Sequence, residues 1–563
     1  MKKIILFVIL IIAFLLRFVS VTHFPVGFNA DEASFGYDAY SILHTGRDQW
    51  GNFLPSVFKS FGDFKSPVYG YLIVPSVAIF GLNVFAVRLP DVIIGTLAVL
   101  AVYLLVNELV KLIKNLDWKV TKWLGLIAAA LLTVNPWSIM MSRGAFEANL
   151  ITFFLPMGIY FFLKGLKNTK YFIWSAIFLG VNMFTYHSAK LITPFVALGL
   201  LFVFRKSLFK INIKKLIISA VIFLVFFGAL LYTFKIGGGS RVIERSITQG
   251  ALDEGFQERM AAISDGMNSK VAKILHNKYS VIANRFVTNY FQYFSPKYLI
   301  ESGAGDGSYG MIPGIGVLNF LELILLIGII PLFFLDKKFR PYILAILVWL
   351  AVTPLAAALA TGIGYSGNRA EGMIPVLQIL EAFGFLGWFL ILKKIKFVPV
   401  KLVAVVFAGV FIFEIYSFGI AYFKTPSNTV LRQTLYGNLE VSNWLVKNSA
   451  GRKVLISRSV SEPQIFIAFA DKWNPSDYQK QTKTWVPSGT ELTWVDQLPS
   501  YSLGNYTTKS IDWKKDSLSG DLIVVRADEY TQKDTPIETI NYPDGSPDIF
   551  VLDTNQKMYA KAN

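Results

Sequence analysis

The chain has 563 residues, of which 54% are hydrophobic and 16% are charged, and it carries a formal net charge of +17 without a cysteine. Soluble domains usually carry about 25% charged residues, so the composition excludes an ordinary soluble protein and indicates a membrane protein. The absence of cysteine excludes disulfide bonds and thiolate metal sites.

The first hydrophobic segment follows two lysines and has the general layout of a signal peptide. No small-residue cleavage site follows it, so we interpret it as a retained membrane span. Further apolar runs recur along the chain, and such runs form helices in lipid because the backbone must satisfy its own polar groups. About eleven spans are predicted, at residues 4–22, 84–110, 122–138, 148–163, 171–186, 191–204, 216–234, 316–335, 341–360, 370–392 and 398–423.

The positive charge is concentrated in every second loop between these spans. Together with Lys2 and Lys3, these short loops hold 21 lysines and arginines against two aspartates. Basic loops stay on the cytoplasmic side, so the N-terminus is predicted to be cytoplasmic in a bacterial-type plasma membrane. The net positive charge, which could also indicate nucleic acid binding, is therefore explained by the basic loops that set the orientation of the chain in the membrane.

This topology divides the chain into a transmembrane domain, residues 1–423, and an extracytoplasmic soluble α/β domain, residues 424–563. The soluble part holds 16 basic and 16 acidic residues, with short β-rich runs between helical stretches. The transmembrane domain has predicted external loops at 24–83, 135–147, 235–315 and 361–372. Two stretches of the first loop, EASFGYDAYSILHTG and PVYGYLIVPSVAIFGL, are predicted to be interfacial helices; the second could instead span, but the charge rule disfavours this.

The first external loop opens with the adjacent carboxylates Asp31 and Glu32. Neighbouring carboxylates repel each other unless a cation or a donor compensates them, which is typical of a functional site. A structural interpretation is also open, in which Asp31 or Asn29 caps a helix. Asp63 and Lys65 follow in the same loop.

Other external segments contribute further charged residues. Arg143 and Glu147 are four residues apart in the second loop and could simply pair on a helix face. Tyr186 and His187 lie at the outer end of the fifth span, where a histidine is often a polar anchor. Arg369 begins the tenth span and could extend towards lipid headgroups.

All of these residues are predicted to reach the same outer interface. Such a set combines carboxylates able to accept a proton with cations able to hold a phosphate. This is the chemistry that sugar transfer from a lipid phosphate requires, because the acceptor hydroxyl loses a proton while the departing phosphate gains negative charge.

Several stretches resemble the bacterial relatives of protein O-mannosyltransferases and the lipid A aminoarabinose transferases, which are C-type (GT-C) membrane glycosyltransferases. The resemblance covers most of the chain. The stretches are DEASFGYDAYSILHTGRDQWGNFLPSVFKSFGDFKSPVYGYL, SRGAFEANL, TYHSAK, YFSPKYLIESGAGDGSYGMIPGIGVLNFLELILLIGIIPLF, NRAEGMIPVLQILEAFG and EPQIFIAFADKWNPSDYQK.

The resemblance implies a polyprenyl-phosphate-monosaccharide donor and transfer by inversion. It implies that Asp31 and Glu147 are the catalytic residues, with Asp31 as the acceptor-activating base and Glu147 positioning the acceptor or supporting the base. It also implies that Lys65 and Arg369 contact the donor phosphate. The remaining predicted substrate-binding residues are Glu32, Asp63, Arg143, Tyr186 and His187. Many relatives have histidine where this chain has Asn368, and the four histidines form no evident ligand set, so no cofactor or metal is predicted.

A transporter or flippase for a lipid-linked or polar substrate is the alternative from another functional class. Transporters place ionisable residues near mid-membrane and often consist of paired repeats, whereas the candidate charged residues here cluster at the predicted outer interface and no second half of the chain mirrors the first. The predicted partners are the lipid-linked donor, the bilayer and an acceptor that is a protein, a glycan or a lipid. The residues do not distinguish among these acceptors.

Overall fold

The computed structural model describes residues 1–113, 119–238, 246–303, 310–360, 367–395, 400–424, 426–485, 494–531 and 535–555. Parts of the predicted external loops 235–315 and 361–372 lie outside these described residues, and so do parts of two of the basic loops, at 114–118 and 396–399.

Helices dominate the first 423 residues, as the hydropathy predicts. The first eleven are α1 (Lys2–Phe18), α2 (Ala30–Thr45), α3 (Pro67–Phe80), α4 (Val84–Leu112), α5 (Leu124–Val134), α6 (Pro136–Met141), α7 (Ile151–Gly165), α8 (Tyr171–Asn182), α9 (Ala189–Val203), α10 (Arg205–Leu208) and α11 (Ile213–Thr233). The next nine are α12 (Ala251–Ser264), α13 (Ser269–Leu275), α14 (Lys278–Gln292), α15 (Phe320–Ile327), α16 (Ile329–Leu335), α17 (Arg340–Val352), α18 (Leu355–Ala358), α19 (Met373–Lys394) and α20 (Val400–Tyr422).

Six apolar segments are long enough to cross a membrane, judged by length and composition over the described residues. They are Val84–Leu112, Glu147–Gly165, Leu216–Ile236, Lys337–Ala358, Met373–Lys394 and Val405–Tyr422, and each overlaps a predicted span. Shorter apolar helices occur at Pro67–Phe80, Val120–Val134, Tyr171–Asn182, Ala189–Val203 and Phe320–Leu335. The chain is therefore a multi-pass membrane protein, while the number eleven stays a prediction.

Glycines bring α19 into direct backbone contact with α15 and α16. A Cβ atom on Gly384 would lie 1.9 Å from the carbonyl oxygen of Leu325, and one on Gly387 would lie 1.9 Å from that of Gly328. Small residues at such positions let membrane helices approach closely, because lipid offers no hydrophobic drive for their association.

The C-terminal part contains a six-stranded mixed sheet. Its strands are β3 (Val454–Ser457), β4 (Ser500–Leu503), β5 (Tyr506–Lys509), β6 (Leu522–Arg526), β7 (Glu538–Asn541) and β8 (Pro547–Asp553), after the hairpin β1 (Phe58–Lys59) and β2 (Phe64–Lys65) in the first loop. The strand order is β4-β5-β3-β6-β8-β7, and β3 is parallel to both β5 and β6. The helices of this part are α21 (Asn428–Gln433), α22 (Tyr436–Asn448), α23 (Pro463–Asp471), α24 (Pro475–Trp485) and α25 (Trp513–Asp516).

The C-terminal part shares one hydrophobic core with the first external loop. The ring of Phe469 on α23 lies 5.0 Å from the ring of Phe28, and both belong to a buried cluster that includes Val524 of the sheet. The hydroxyl of Tyr37 on α2 donates to the carbonyl oxygen of Trp473 at 2.9 Å. The helices of the C-terminal part therefore pack directly on α2, the helix that carries the adjacent carboxylates.

Candidate active site

The start of α2 orients the first pair of carboxylates. Asn29 caps the helix by accepting from the backbone N–H of Glu32 at 2.9 Å, and the Glu32 side chain accepts from the Asn29 N–H at 3.3 Å. This reciprocal capping box satisfies amides that the first helical turn leaves free. The structural interpretation of Asn29 as a cap is confirmed, and Asp31 is left on the first turn.

Asp31 and Lys65 form an ion pair at the mouth of the site. The Lys65 Nζ lies 3.2 Å from Asp31 Oδ1, and the side chain of Lys65 is 4% exposed whereas that of Asp31 is 51% exposed. The ammonium also donates to the Asp31 carbonyl oxygen at 3.3 Å and lies 4.3 Å from the ring centre of Phe35. A buried cation therefore faces an accessible carboxylate, an arrangement able to receive an anion and a proton together.

Glu32 serves the scaffold that holds this pair. Its two oxygens accept from Arg88 Nε at 2.8 Å and from an Arg88 terminal nitrogen at 2.9 Å, and both side chains are buried. The backbone N–H of Ala145 donates to the same carboxylate at 3.0 Å. Glu32 thus joins the first loop, α4 and the second loop, and its predicted contact with substrate stays a prediction.

The second loop is fastened by a carboxylate on α4. Asp91 accepts from the backbone N–H of Phe146 and from the side-chain amide of Asn149, both at 2.8 Å. Arg143 turns towards α1, where it donates to the carbonyl oxygens of Leu16 at 2.7 Å and Val19 at 2.6 Å. The described bonds of Arg143 therefore close the end of α1, and its predicted role in substrate binding stays a prediction.

Glu147 begins a 3₁₀ turn, Glu147–Leu150, that packs against α3 and against a second 3₁₀ turn, Gly367–Ala370. Arg369 lies in that second turn and is half-buried. Glu371, two residues after Arg369, is buried and accepts a hydrogen bond from the indole of Trp137. The structure therefore brings the Glu147 and Arg369 segments together beneath the helix that follows Lys65.

The segment after α8 joins the same region. The backbone N–H of Val68 donates to the carbonyl oxygen of Phe184 at 3.4 Å, which links this segment to the start of α3. His187 Nδ1 lies 3.3 Å from Lys190 Nζ, and Glu147 acts electrostatically on Lys190. Tyr186 is buried, and its ring centre lies 5.8 Å from that of His187.

Buried carboxylates of the first loop were not assigned to the site from the sequence. Asp38 is buried and accepts from the backbone N–H of Gln49 at 2.9 Å and from its side-chain amide at 3.1 Å. Burial, and then the nearby Asp48, raise the pKa of Asp38 to about 8, against the opposing effect of Lys65. Asp63, by contrast, is a buried residue that ends the turn between β1 and β2, where its carbonyl oxygen accepts from the backbone N–H of Ser60 at 2.8 Å.

Arg88 and Asp38 were not predicted as functional residues, and the sequence contained a signal for Arg88 only. Arg88 lies in a predicted span, and an arginine at such a position usually has a buried partner or a function. Asp38 had no comparable signal, because its partner Gln49 and its neighbour Asp48 follow a turn that the pattern does not specify.

Metal binding receives no support from the described residues. Among them, no group of three or more histidine, aspartate or glutamate side chains is placed to hold a metal ion. The side chains placed here can accept a proton at a carboxylate and bind an anion at a cation.

Comparison with known proteins gives one sequence match and a set of structural matches. Residues 64–232 match the family model described as dolichyl-phosphate-mannose-protein mannosyltransferase. No curated protein matches the chain significantly.

The structural matches have low sequence identity to this chain, and the two to ArnT have TM-scores above 0.5. ArnT from Cupriavidus metallidurans in the apo state is 12% identical, with 98% of this chain and 97% of ArnT covered and a TM-score of 0.53. ArnT bound to undecaprenyl phosphate is 13% identical, with 97% of each chain covered and a TM-score of 0.51. The Archaeoglobus fulgidus oligosaccharyltransferase tethered with an acceptor peptide is 16% identical, with a TM-score of 0.48. That match covers 83% of this chain and 63% of the archaeal chain. This chain therefore spans less than two thirds of the archaeal enzyme's length.

The predicted resemblance is confirmed by these two kinds of match. The fold agrees with ArnT over almost the whole length of both chains. The chain is therefore a membrane protein with the C-type glycosyltransferase fold, related over residues 64–232 to the dolichyl-phosphate-mannose-protein mannosyltransferases.

Proposed function

We propose that this protein transfers a monosaccharide from a polyprenyl phosphate to an acceptor hydroxyl on the extracytoplasmic side of the plasma membrane. The observation that carries the proposal is the contact of 3.2 Å between the buried ammonium of Lys65 and the accessible carboxylate of Asp31. The family match, which includes Lys65, and the undecaprenyl phosphate bound by ArnT support a lipid-phosphate donor.

In the proposed reaction the acceptor oxygen attacks the anomeric carbon from the face opposite the phosphate. The hydroxyl proton passes to the Asp31 carboxylate as the new C–O bond forms. The bond between the anomeric carbon and the phosphate oxygen breaks, and the lipid phosphate leaves with its electron pair. Lys65 stabilises the negative charge that develops on that phosphate, and inversion follows from the single displacement.

The remaining site residues have supporting roles in this proposal. Glu147 positions the acceptor, and Arg369, on the neighbouring turn, provides a second cation for the phosphate. His187, Tyr186 and Asp63 complete the walls, while Glu32 and Arg143 hold the loops through their bonds to Arg88 and α1. No step requires a metal.

Transfer and binding can be measured separately. Purified protein in lipid nanodiscs is incubated with labelled polyprenyl-phosphate hexoses and cell-envelope acceptors, and donor binding is measured without acceptor. Asp31→Asn should lower transfer by about 10²- to 10⁴-fold, the range for loss of a general base, with little change in donor affinity. Lys65→Ala should weaken donor binding as well.

An exposed pair of the same residue types provides the control. Lys480 Nζ lies 3.0 Å from Asp477 Oδ1 on the C-terminal part, and both side chains are mostly exposed. Asp477→Asn and Lys480→Ala should leave transfer unchanged. Full transfer by Asp31→Asn would exclude Asp31 as the base, and unchanged donor affinity in Lys65→Ala would exclude the phosphate role.

A further inference from the structure

A polar cluster lies inside the helical bundle, separate from the candidate active site. It forms where α5, α15 and α19 meet, and its members Asn135, Glu322, Gln378 and Glu381 are fully buried. Polar residues within membrane spans are costly and rarely lack a purpose. The proposed sugar transfer uses none of these four side chains.

Glu322 has the partners that an ionised carboxylate requires. It stands in the first turn of α15 and accepts from the backbone N–H of Asn319 at 2.8 Å. The side-chain amide of Asn135 lies 3.3 Å from one of its oxygens and 3.5 Å from the other. The positive end of a helix dipole favours negative charge at this position.

Glu381 lies in a different environment on α19. Its Oε1 accepts from the side-chain N–H of Gln378 at 3.5 Å, whereas its Oε2 has no hydrogen-bond partner. The Oε1 of the same Gln378 amide also lacks a partner. Two buried acceptors, on residues three positions apart on α19, therefore lack a donor, which costs free energy if both stay as they are.

The surroundings add negative charge rather than remove it. Within the described residues, the charged group that acts on Glu381 is Glu322, and Glu414 on α20 acts in turn on Glu322. No described lysine or arginine forms an ion pair with Glu322 or Glu381. Two adjacent carboxylates in such a site do not both remain ionised.

We propose that Glu381 is a proton-binding site and forms a cyclic acid–amide pair with Gln378. The Oε2–H of the protonated carboxyl donates to Gln378 Oε1, while the Gln378 amide donates to Glu381 Oε1. A single proton, taken from water when the site forms, supplies the missing donor for Gln378 and uses the unpaired oxygen of Glu381. Glu322 keeps the one negative charge.

A metal cation is the competing occupant, because carboxylate and amide oxygens suit hard cations. The described residues hold no group of three or more carboxylate or histidine ligands that would enclose such an ion. A single proton satisfies both unpaired oxygens without further ligands, so a proton is the occupant that we propose.

Infrared spectroscopy of the full chain in nanodiscs tests where the proton lies. A protonated carboxyl has a carbonyl stretch that carboxylates lack, and difference spectra between variants remove the contributions of other buried acids. The difference spectrum between the wild type and Glu381→Gln should contain this band, and the difference spectrum between the wild type and Glu322→Gln should not. A band in the Glu322→Gln difference spectrum alone, or in neither, would overturn the assignment.

Thermal unfolding provides a second, independent measurement. Glu381→Gln replaces the acid by an amide that can make the same cyclic pair, so it should keep the wild-type midpoint, whereas Glu381→Leu should lower it by several degrees because Gln378 loses its partner. Adding sodium or calcium chloride at constant ionic strength should not shift the wild-type midpoint. A cation-specific rise that Glu381→Gln abolishes would show a metal site instead.

Discussion

Arg88 is the residue that connects the segment between α1 and α2 to α4. Besides its two bonds to Glu32, it donates to the carbonyl oxygens of Val21, Pro25 and Gly27 at 2.9, 3.0 and 2.6 Å. One side chain therefore fixes the path from the end of α1 to the start of α2. This explains why the carboxylate next to Asp31 is buried while Asp31 is accessible.

Arg88→Ala should destabilise the protein strongly. The substitution leaves Glu32 buried without its cation, and breaking a buried pair in this way costs about 3–5 kcal/mol. Arg432→Ala, which removes the exposed pair with Asp528, should cost about 0–1 kcal/mol. Thermal unfolding in nanodiscs compares the two, and equal midpoints would show that the Arg88 network contributes no stability.

Asp38 should make stability depend on pH. Its pKa is about 8 in the folded protein and 3.8 ordinarily, so between these values the folded state binds one proton more than the unfolded state. Stability contributed by this proton is present below about pH 4 and is lost as pH rises towards 8. In Asp38→Asn, stability should decrease less steeply with pH, and the difference in slope should correspond to up to one bound proton. The unfolding midpoint measured as a function of pH gives this slope. An unchanged slope would contradict the raised pKa.

The sequence predicted which charged side chains lie in neighbouring segments better than it predicted the hydrogen bonds that these side chains form. Asp31, Lys65, Glu147, His187 and Arg369 were all selected from charge near a predicted interface, and their segments meet. The partners of Arg143 are carbonyl oxygens more than 120 residues away, at Leu16 and Val19. A backbone acceptor leaves no mark in the sequence, so this contact could not be predicted.

At the scale of elements, the contact between α19 and the α15–α16 pair depends on the absence of side chains. Gly384→Ala would place a carbon against the Leu325 carbonyl, and overpacking costs about 1–3 kcal/mol. Gly409→Ala on α20 is a matched control, because a Cβ atom there would meet nothing within 4 Å. The midpoint of thermal unfolding should fall for Gly384→Ala only. Equal values would show that the helices can separate without cost.

Long apolar helices were predictable because hydropathy alone determines them, whereas parts of the sheet were not recognised. Strands β3, β6 and β8 coincide with the predicted β-rich runs. The β4–β5 hairpin was missed although Gly504 and Asn505 form a two-residue connection between strands, which is a hairpin signal. The segment that forms this hairpin is polar on one face, so the hydrophobic pattern that would indicate two strands is weak.

On the scale of the whole molecule, the C-terminal part and the first loop form one packed unit. Phe469→Ala removes a ring from their shared core, and such truncations cost about 3–5 kcal/mol. Leu518→Ala, at a position that is 49% exposed, should cost less than about 0.5 kcal/mol. The shared core predicts one unfolding transition that shifts as a whole for Phe469→Ala. Separate transitions for the sheet and the bundle would contradict it.

The hydrogen bond between Tyr37 and Trp473 joins residues 436 positions apart. At about 5–20 residues per second, a ribosome needs roughly 20–90 s to make the chain between them. During that interval α2 lacks the surface that covers it in the finished protein. The surface that covers α2 is therefore complete only after the C-terminal part of the polypeptide has been synthesised.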